Sequence, residues 1–456
     1  MPSQFFKNRR VYLLTTVAYM GSLLFGYDTG VMGSVLSLKA FKKDFGLPTD
    51  SSGFANSKNA YVSSNVVSLL TAGCFFGAIA AAFLNERFGR RYSLMGFSVI
   101  FLIGAAIQTA AHHEIGMIYG GRVIAGLGIG GMSSITPVFV SENAPPAVRG
   151  RIAGLFQEFL VIGSTFAYWL DYGVALHIPA STKQWRVPVA IQLIPGGFML
   201  GRHSEAAESL AHIRCESVDN PDVVTELAEI RAAIEEELNA TEGVTWRECL
   251  IPGNRYRFIT GFVLMFWQQF SGTNSIGYYA PQIFQTVGVS KNNASLFATG
   301  VYATHPPDPS SGSVSQASIA MVAMIYLYVI GYSASWGPVP WVYLSEIFPT
   351  RLRAYGVGMG AATQWLFNFV ITKITPEAIN HIGWKTFLMF GIFCLCMGIF
   401  AFFFIKETKG RTLEDMDVLF GAVSAEQRAQ DVEKSMAVEN KKMELEEREE
   451  AGKASN

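Results

Sequence analysis

The sequence is poor in charged and reactive side chains. Charged residues make up only 16% of its 456 residues, well below the roughly 25% of an average soluble domain. The formal net charge is −1, so nothing in the overall balance points to nucleic acid. The 5 cysteines are scattered. No histidine lies near Cys394 and Cys396, so we expect small buried thiols rather than metal ligands or disulfides.

The motifs of common enzymes are also missing. The chain has no Walker A loop, no HExxH pair, no GxGxxG after a strand and no nucleophile elbow. Glycines at 126, 128, 130 and 131 resemble a phosphate loop in composition only, because they stand inside an apolar run where close helix packing explains them better. We therefore predict that the chain is not an enzyme and holds no metal and no organic cofactor.

Long apolar runs are what the sequence does have. Hydrophobic residues make up 50% of it, with 34 Phe and 44 Gly, as suits helices that face lipid and pack closely on one another. Since a spanning helix needs about 20 mainly apolar residues, we predict an all-α polytopic membrane protein with about ten spans. The candidates are 11–36, 59–84, 93–111, 117–140, 151–176, 187–200, 258–283, 316–344, 354–376 and 383–405. The sixth is short for a span.

Basic residues in the short loops indicate the orientation in the membrane. Arg90, Arg149 and Arg351 belong to basic loops on one side, whereas the opposite side has a mixed loop at 39–58 and a loop at 303–315 without Lys or Arg. Both termini are therefore predicted to be cytoplasmic. We expect an integral protein of the plasma membrane.

Composition divides the chain into four segments. Residues 1–200 form an N-terminal bundle of six helices with a truncated sixth, and residues 201–257 a charged, cytoplasmic helical linker. Residues 258–405 form an incomplete C-terminal bundle of about four helices, and residues 406–456 a cytoplasmic tail.

An internal repeat relates the two bundles. A Glu–Arg pair with a spacing of seven residues ends a span in each half, as Glu142 with Arg149 and Glu346 with Arg353. Two similar halves joined by a linker are typical of secondary transporters, which bind solute near the midplane between the halves. The alternative interpretation is that each Glu–Arg pair has a structural role and only joins two helix ends.

Two ionisable residues lie inside predicted spans at similar depth. Asp28 is in the first span and Arg122 in the fourth. Because a charge in hydrocarbon costs several kcal/mol by most scales, both are functional candidates. A carboxylate that pairs with Arg122 and also accepts a proton would act as a proton-coupling switch. A static structural ion pair is the alternative.

Uncharged polar residues in the spans suggest a binding cavity. Amides donate and accept hydrogen bonds, which suits a polyhydroxylated solute; the candidates among those in the spans are Gln157, Gln268, Gln269, Asn274, Gln364 and Asn368. Flat apolar faces for a sugar ring are available from Phe25, Tyr278, Tyr279 and Trp341. Hydrogen bonding between helices is the alternative role for each amide.

Several stretches of the sequence match a known family. They are 25–30 (FGYDTG), 86–91 (ERFGRR), 121–122 (GR), 268–274 (QQFSGTN), 337–341 (GPVPW), 346–351 (EIFPTR) and 407–410 (ETKG). With them, the chain resembles the sugar porters of the major facilitator superfamily, especially fungal members that carry hexoses, quinate or galacturonate. The matches run from the first span to the tail.

The resemblance implies a fold and a set of roles. It implies a two-bundle fold of twelve helices, alternating access, and a proton as the coupling ion. It implies that Asp28 and Arg122 form the proton-sensing pair, and that the substrate site is lined by Gln157, Gln268, Gln269, Asn274, Trp341 and Gln364. The implied cytoplasmic gate consists of Glu86, Arg90, Arg91, Glu142, Arg149, Glu346 and Arg353.

The chain departs from the family pattern in two places. After Leu200 it lacks the end of the sixth helix, and after Tyr302 it lacks the eighth helix, a basic loop and the ninth helix. About ten helices are thus expected instead of twelve. A splice or gene-model variant would explain both gaps.

The leading hypothesis is proton-coupled uptake of a monosaccharide or sugar acid of the hexose, quinate or galacturonate class. A transport-inactive variant and a transporter-like nutrient sensor are the alternatives. The expected partners are a small polar solute and the lipid bilayer, with no nucleic acid, and the chain is expected to be a monomer. The sequence leaves the individual solute open.

Overall fold

The computed structural model describes residues 19–49, 57–143, 149–197, 246–286 and 316–408, together with residues 16, 416 and 419–421. Within these ranges the regular structure is helical and contains no β-strand. The all-α prediction is therefore confirmed. The predicted linker lies outside the described residues from 201 to 245, as does most of the predicted tail.

The first half of the chain has helix at every predicted span, although the sixth helix begins at Thr182, five residues earlier than predicted. Its helices are α1 (Met20–Val35), α2 (Lys39–Asp44), α3 (Ser57–Ala110), α4 (Ile115–Asn143), α5 (Arg149–His177) and α6 (Thr182–Ile191). The long α3 comprises two predicted spans. It is divided at Gly89, whose backbone has φ 76° and ψ 165°, a conformation that glycine adopts without a Cβ clash.

The second half contains more interruptions than the sequence suggested. A short 3₁₀ turn (Trp246–Leu250) precedes α7 (Pro252–Phe270), α8 (Thr273–Thr286), α9 (Gln316–Ala334), α10 (Val339–Ile347), α11 (Thr350–Ile382) and α12 (Lys385–Phe404). Helix α7 begins at Pro252, so it includes residues 252–257 that the sequence assigned to the linker. Proline is favoured in the first helical turn, where its missing N–H has no partner to lose.

Two predicted continuous spans, 258–283 and 316–344, are each broken into two helices. Between α7 and α8, Gly272 has φ 89° and lies against the ring of Phe390. Between α9 and α10, the turn at 335–338 ends in Pro338, which has no N–H to continue a helix. Both runs are helical as predicted, but neither is one continuous helix.

Five helices in the described residues are long and apolar enough to cross a membrane. They are Ser57–Asn85, Arg87–Ala110, Ile115–Pro137, Leu155–His177 and Lys385–Phe404. The other candidate spans also contain helix where they are described.

Glycines hold the first half together. A Cβ on Gly130 of α4 would lie 2.0 Å from the carbonyl oxygen of Cys74 on α3, and one on Gly126 would lie 2.1 Å from that of Leu70. Gly26 of α1 approaches α5 equally closely, since its Cβ would lie 1.9 Å from the carbonyl oxygen of Leu160. The glycine-rich stretch of α4 is therefore a packing surface, as predicted.

The short helix α2 covers the predicted outer end of the first half. Trp185 of α6 donates its indole N–H to Asp44 over 2.8 Å, and its ring packs on Phe41 and Phe45. Lys42, which belongs to α2, is buried, and burial lowers the pKa of its ammonium group. These contacts hold α2 against the first turn of α6.

Candidate transport pathway

A buried ion pair lies at the centre of the first half. Nη1 of Arg122 on α4 donates to both carboxylate oxygens of Asp28 on α1, over 2.8 Å and 2.7 Å. Nε of the same guanidinium donates to the carbonyl oxygen of Val66 on α3 over 2.9 Å. Both side chains are 0% exposed. One charged group thus ties three helices together, with its charge neutralised by Asp28.

Three of the predicted amides form a chain at the break between α7 and α8. Asn274 donates to Oε1 of Gln269, and Gln269 donates to Oε1 of Gln268 over 3.4 Å. The amide nitrogen of Gln268 then reaches the carbonyl oxygens of Trp336 and Gly337, over 3.0 Å and 3.2 Å. The chain therefore joins the α7–α8 break to the α9–α10 break. Backbone groups that a continuous helix would use internally are satisfied here by side chains.

The amides of α11 are in a different situation. Asn368 is fully buried, and neither its amide nitrogen nor its amide oxygen has a hydrogen-bond partner among the described residues. Gln364, one turn earlier, is 9% exposed. Gln157 of α5 is half-buried. Because buried amides are normally hydrogen-bonded, Asn368 offers one donor group and one acceptor group to a solute or water.

Of the four aromatic candidates, two contact other aromatic rings and two are buried tyrosines. The rings of Phe25 and Trp365 meet edge to face with centroids 4.9 Å apart, and the ring of Trp341 lies 6.0 Å from that of Phe156. Tyr279 is buried and donates to the carbonyl oxygen of Thr372 over 2.8 Å. Tyr278 is buried beside it.

Contacts between the halves close the seam toward the predicted outer side. Tyr168 of α5 donates to the carbonyl oxygen of Gly277 on α8 over 2.6 Å. A Cβ on Gly33 of α1 would lie 2.3 Å from the carbonyl oxygen of Tyr278. Nearer mid-depth, the indole N–H of Trp365 donates to the hydroxyl of Ser133 over 3.1 Å. The two halves therefore touch along α1, α4 and α5, and also along α3, where Thr71 contacts Thr372 of α11.

Replacing Trp365 with phenylalanine should weaken the contact between the halves. The change removes the hydrogen bond to Ser133, which is worth about 1 kcal/mol, and leaves part of a fully buried indole volume empty. Thermal unfolding of the purified protein in detergent should shift to lower temperature. Trp384→Phe is the matched control, because Trp384 is 67% exposed; equal shifts for both variants would contradict the prediction.

Of the predicted cytoplasmic gate, only part can be placed. The side chains of Glu86, Glu142 and Arg149 lie outside the described residues. Arg90, Arg91 and Arg353 are half-buried, and Glu346 accepts a hydrogen bond from Thr408 over 2.9 Å. This hydrogen bond joins α10 to the start of the tail. Two further tail residues, Met416 and Phe420, are buried against the second half.

The structure reveals two ionisable residues in the spans that the sequence analysis passed over. Asp171 of α5 is 0% exposed and lies beside the hydroxyl of Ser34 on α1. Lys373 of α11 hydrogen-bonds to Asn65 on α3. Both stand inside candidate spans, so the criterion that selected Asp28 and Arg122 would have found them.

Comparison with known proteins agrees with this architecture. The profile of the family "Sugar (and other) transporter" matches residues 14–306 and 307–420. A "Probable quinate permease" of Aspergillus clavatus is 33% identical over 91% of this chain and 88% of its own length. The "Quinate permease" of Emericella nidulans is 32% identical over 91% of this chain and 89% of its own length.

Solved structures show the same fold. The xylose transporter XylE, bound to 6-bromo-6-deoxy-D-glucose, superposes with a TM-score of 0.67 at 24% identity and covers 91% of this chain and 99% of its own. The inward-open form of XylE from E. coli gives 0.66 at 23% identity, over 90% and 99% of the two chains.

The fold and its buried polar interior define an integral membrane transporter of the major facilitator superfamily, not an enzyme. Within that class, the chain belongs to the sugar transporter family, and its solute is of the small polar, sugar type.

The comparisons also indicate where the chain is short. The alignment with the A. clavatus permease runs over 479 positions but includes only 91% of 456 residues, about 415, so about 64 positions of that relative face gaps. The family match is divided between residues 306 and 307, inside the loop where the eighth and ninth helices were expected to be missing. The divided match agrees with the predicted loss after Tyr302, and the gap total agrees with missing segments without locating them.

Proposed function

We propose that this chain takes up a monosaccharide or sugar acid together with a proton, by alternating access, at the plasma membrane. The observation that carries the proposal is the ion pair of Asp28 and Arg122. It is removed from solvent, lies inside a membrane-spanning bundle, and contains a group that can bind and release a proton. An ionisable residue at this depth is expensive and is functional by default.

A proton at Asp28 would change the contacts of three helices. In the ionised pair, Arg122 links α1 through Asp28 and α3 through Val66. Protonation of Asp28 removes the negative charge and weakens the link to α1, while the link to α3 is kept. Since Gly33 of α1 also packs on α8 of the other half, a change in α1 reaches the seam between the halves. A proton thereby shifts the balance between conformations.

The solute would bind beside the amides of the second half. Asn368 has an unused donor and acceptor, and the amide chain of Gln268, Gln269 and Asn274 sits at a break between two half-helices. Broken helices near the midplane are where transporters of this kind bind solute. The relatives are quinate permeases and the structural neighbour is a proton:xylose symporter, which supports this substrate class and this coupling ion.

Uptake into proteoliposomes tests the proposal. With the purified chain reconstituted, radiolabelled glucose, galacturonate and quinate should accumulate when the outside is acidic, and an uncoupler should abolish the accumulation. Liposomes that contain the Asp44→Asn protein serve as a control, because Asp44 lies on α2, away from the ion pair. Uptake that only equilibrates, with or without the pH gradient, would refute proton coupling.

A second candidate, a transport-inactive variant, is favoured by uncovered helix faces. Glu158 of α5 is exposed together with Val161, Ile162 and Phe166, although a carboxylate facing hydrocarbon is costly. An apolar cavity of about 720 Å³ also lies between α8, α9 and α12, lined by Tyr328 and Phe387 among others. Both features suit a bundle from which two helices have been removed.

Restoring the missing segments separates the two candidates. The end of the sixth helix and the eighth and ninth helices of a quinate permease would be inserted after Leu200 and Tyr302. If this chain is inactive, only the restored protein should accumulate solute at equal surface expression. Equal accumulation by both proteins would show that the shortened chain is sufficient.

A further inference from the structure

Lys373 is a cation held between the two halves. It lies on α11, nine residues before the helix ends at Ile382, or about 14 Å along the axis. Its ammonium group donates to Oδ1 of Asn65, lies 3.4 Å from Oγ of Ser64, and stands 5.2 Å from the ring centroid of Tyr61. These three partners lie on the first part of α3, so the contact crosses the seam.

The partners of Lys373 carry no charge. In the part of the chain that the structure describes, its ammonium group makes no ion pair with a carboxylate, in contrast to Arg122. A cation inside a membrane bundle normally pairs with an anion or marks a substrate pathway. Its neutral oxygen ligands are weaker acceptors than a carboxylate, because they carry only partial negative charge and leave the positive charge of the ammonium group uncompensated.

A polar seam leads from Lys373 toward mid-depth. The hydroxyl of Thr372 lies 3.5 Å from that of Thr71 on α3, and Ser68 is buried one turn away. About 7 Å deeper along α11 is Asn368 with its unused amide. The seam between α3 and α11 therefore joins a cation to hydrogen-bonding groups suited to hydroxyls.

The charges around this seam favour an anion. Arg122 donates to the carbonyl of Val66, the residue next to Asn65, so two cations flank one turn of α3. Among the described residues, only Arg122 has a counter-charge, which is Asp28. When Asp28 takes up a proton, neither cation has a carboxylate partner in that part of the chain, and an entering carboxylate would compensate for the lost charge.

From this arrangement we propose that Lys373 is a specificity-determining residue that recognises the carboxylate of the solute. The chain then selects a monocarboxylated cyclic polyol, a sugar acid, over a neutral hexose. One carboxylate oxygen replaces Asn65 and Ser64 as acceptor for the ammonium group, and the hydroxyls of the solute reach toward Asn368. This inference rests on the proposed function and names the substrate class of the same pathway.

Equilibrium binding to the full chain in lipid nanodiscs provides the test, and it does not require a complete transport cycle. The probes are quinate, its uncharged methyl ester and glucose. Lys373→Met should weaken quinate binding at least about tenfold, as expected for one lost charge-assisted hydrogen bond, and leave binding of the ester unchanged. Lys373→Arg should retain quinate binding. Lys385→Met is the matched control, since Lys385 is exposed at the start of α12.

Each outcome separates the inference from the proposed function. Unchanged quinate binding in Lys373→Met would overturn the inference, and so would an equal loss for quinate and its ester, which would indicate a structural role. Wild-type protein that binds glucose and the ester but not quinate would overturn the inference alone. Wild-type protein that binds none of the three would overturn the proposed function of this chain and the inference with it.

Discussion

Asp28→Asn should abolish proton-driven accumulation while leaving exchange of solute across the membrane intact. Asparagine matches the shape of aspartate and still accepts hydrogen bonds from Arg122, but it cannot bind or release the proton. The expected result is that solute reaches equal concentrations on both sides and goes no further, with labelled solute still exchanging for unlabelled. The measurement is uptake under an inward pH gradient, paired with counterflow without a gradient, in whichever of the original and restored proteins takes up solute.

Matched variants separate coupling from folding. Removing one partner of a buried ion pair destabilises a protein by about 3–5 kcal/mol, since the other charge is left unpaired. Asp28→Asn combined with Arg122→Gln should therefore restore part of the lost stability but not the accumulation. Asp28→Glu, which keeps an ionisable group, should retain some accumulation. If Asp28→Asn accumulates solute as the wild type does, the pair is structural and proton coupling through it is excluded.

Gly130→Ala should prevent α3 and α4 from packing. The added Cβ would lie 2.0 Å from the carbonyl oxygen of Cys74, and a backbone carbonyl inside a helix cannot move aside as a side chain can. Overpacking of a core typically costs 1–3 kcal/mol and occasionally more, so we expect a loss of about 3 kcal/mol here. The yield of monodisperse protein after extraction into detergent, and its thermal unfolding, measure the effect.

Gly116→Ala on the same helix is the control for Gly130→Ala. No neighbouring atom lies within 4 Å of the Cβ that it would add. Because alanine is favoured over glycine in a helix by up to about 1 kcal/mol, this variant should be neutral or slightly stabilising. The two substitutions thus have opposite expected signs, and a Gly130→Ala protein as stable as Gly116→Ala would contradict the packing argument.

Some residues of the candidate site can be recognised from the sequence, whereas their surroundings cannot. Asp28 and Arg122 stood out because an ionisable residue in an apolar run is rare and costly. The same rule applied to Asp171 and Lys373, which were passed over although they also interrupt predicted spans. Their surroundings could not have been foreseen, because Ser64, Asn65 and Tyr61 lie over three hundred residues from Lys373 in sequence.

The amides illustrate the limit of composition. Six amides in the spans predicted a polar cavity, with hydrogen bonds between helices as the alternative. In the structure, Gln268 has the second role, since its amide nitrogen donates to the carbonyl oxygens of Trp336 and Gly337. Asn368 has none among the described residues. An amide has the same chemistry in both cases, so only its neighbours decide which role is open to it.

By itself, the sequence determined the all-α membrane fold, the approximate positions of the spans, and the loss of family segments near residue 302. Those features depend on local hydropathy and on short motifs, which are written along the chain. Only the tertiary structure decided that two spans are broken, that α3 and α4 approach to backbone contact, and that Asp28 meets Arg122. It also brought Lys373 to Asn65. These outcomes depend on which distant residues become neighbours once the helices pack, and hydropathy does not specify that pairing.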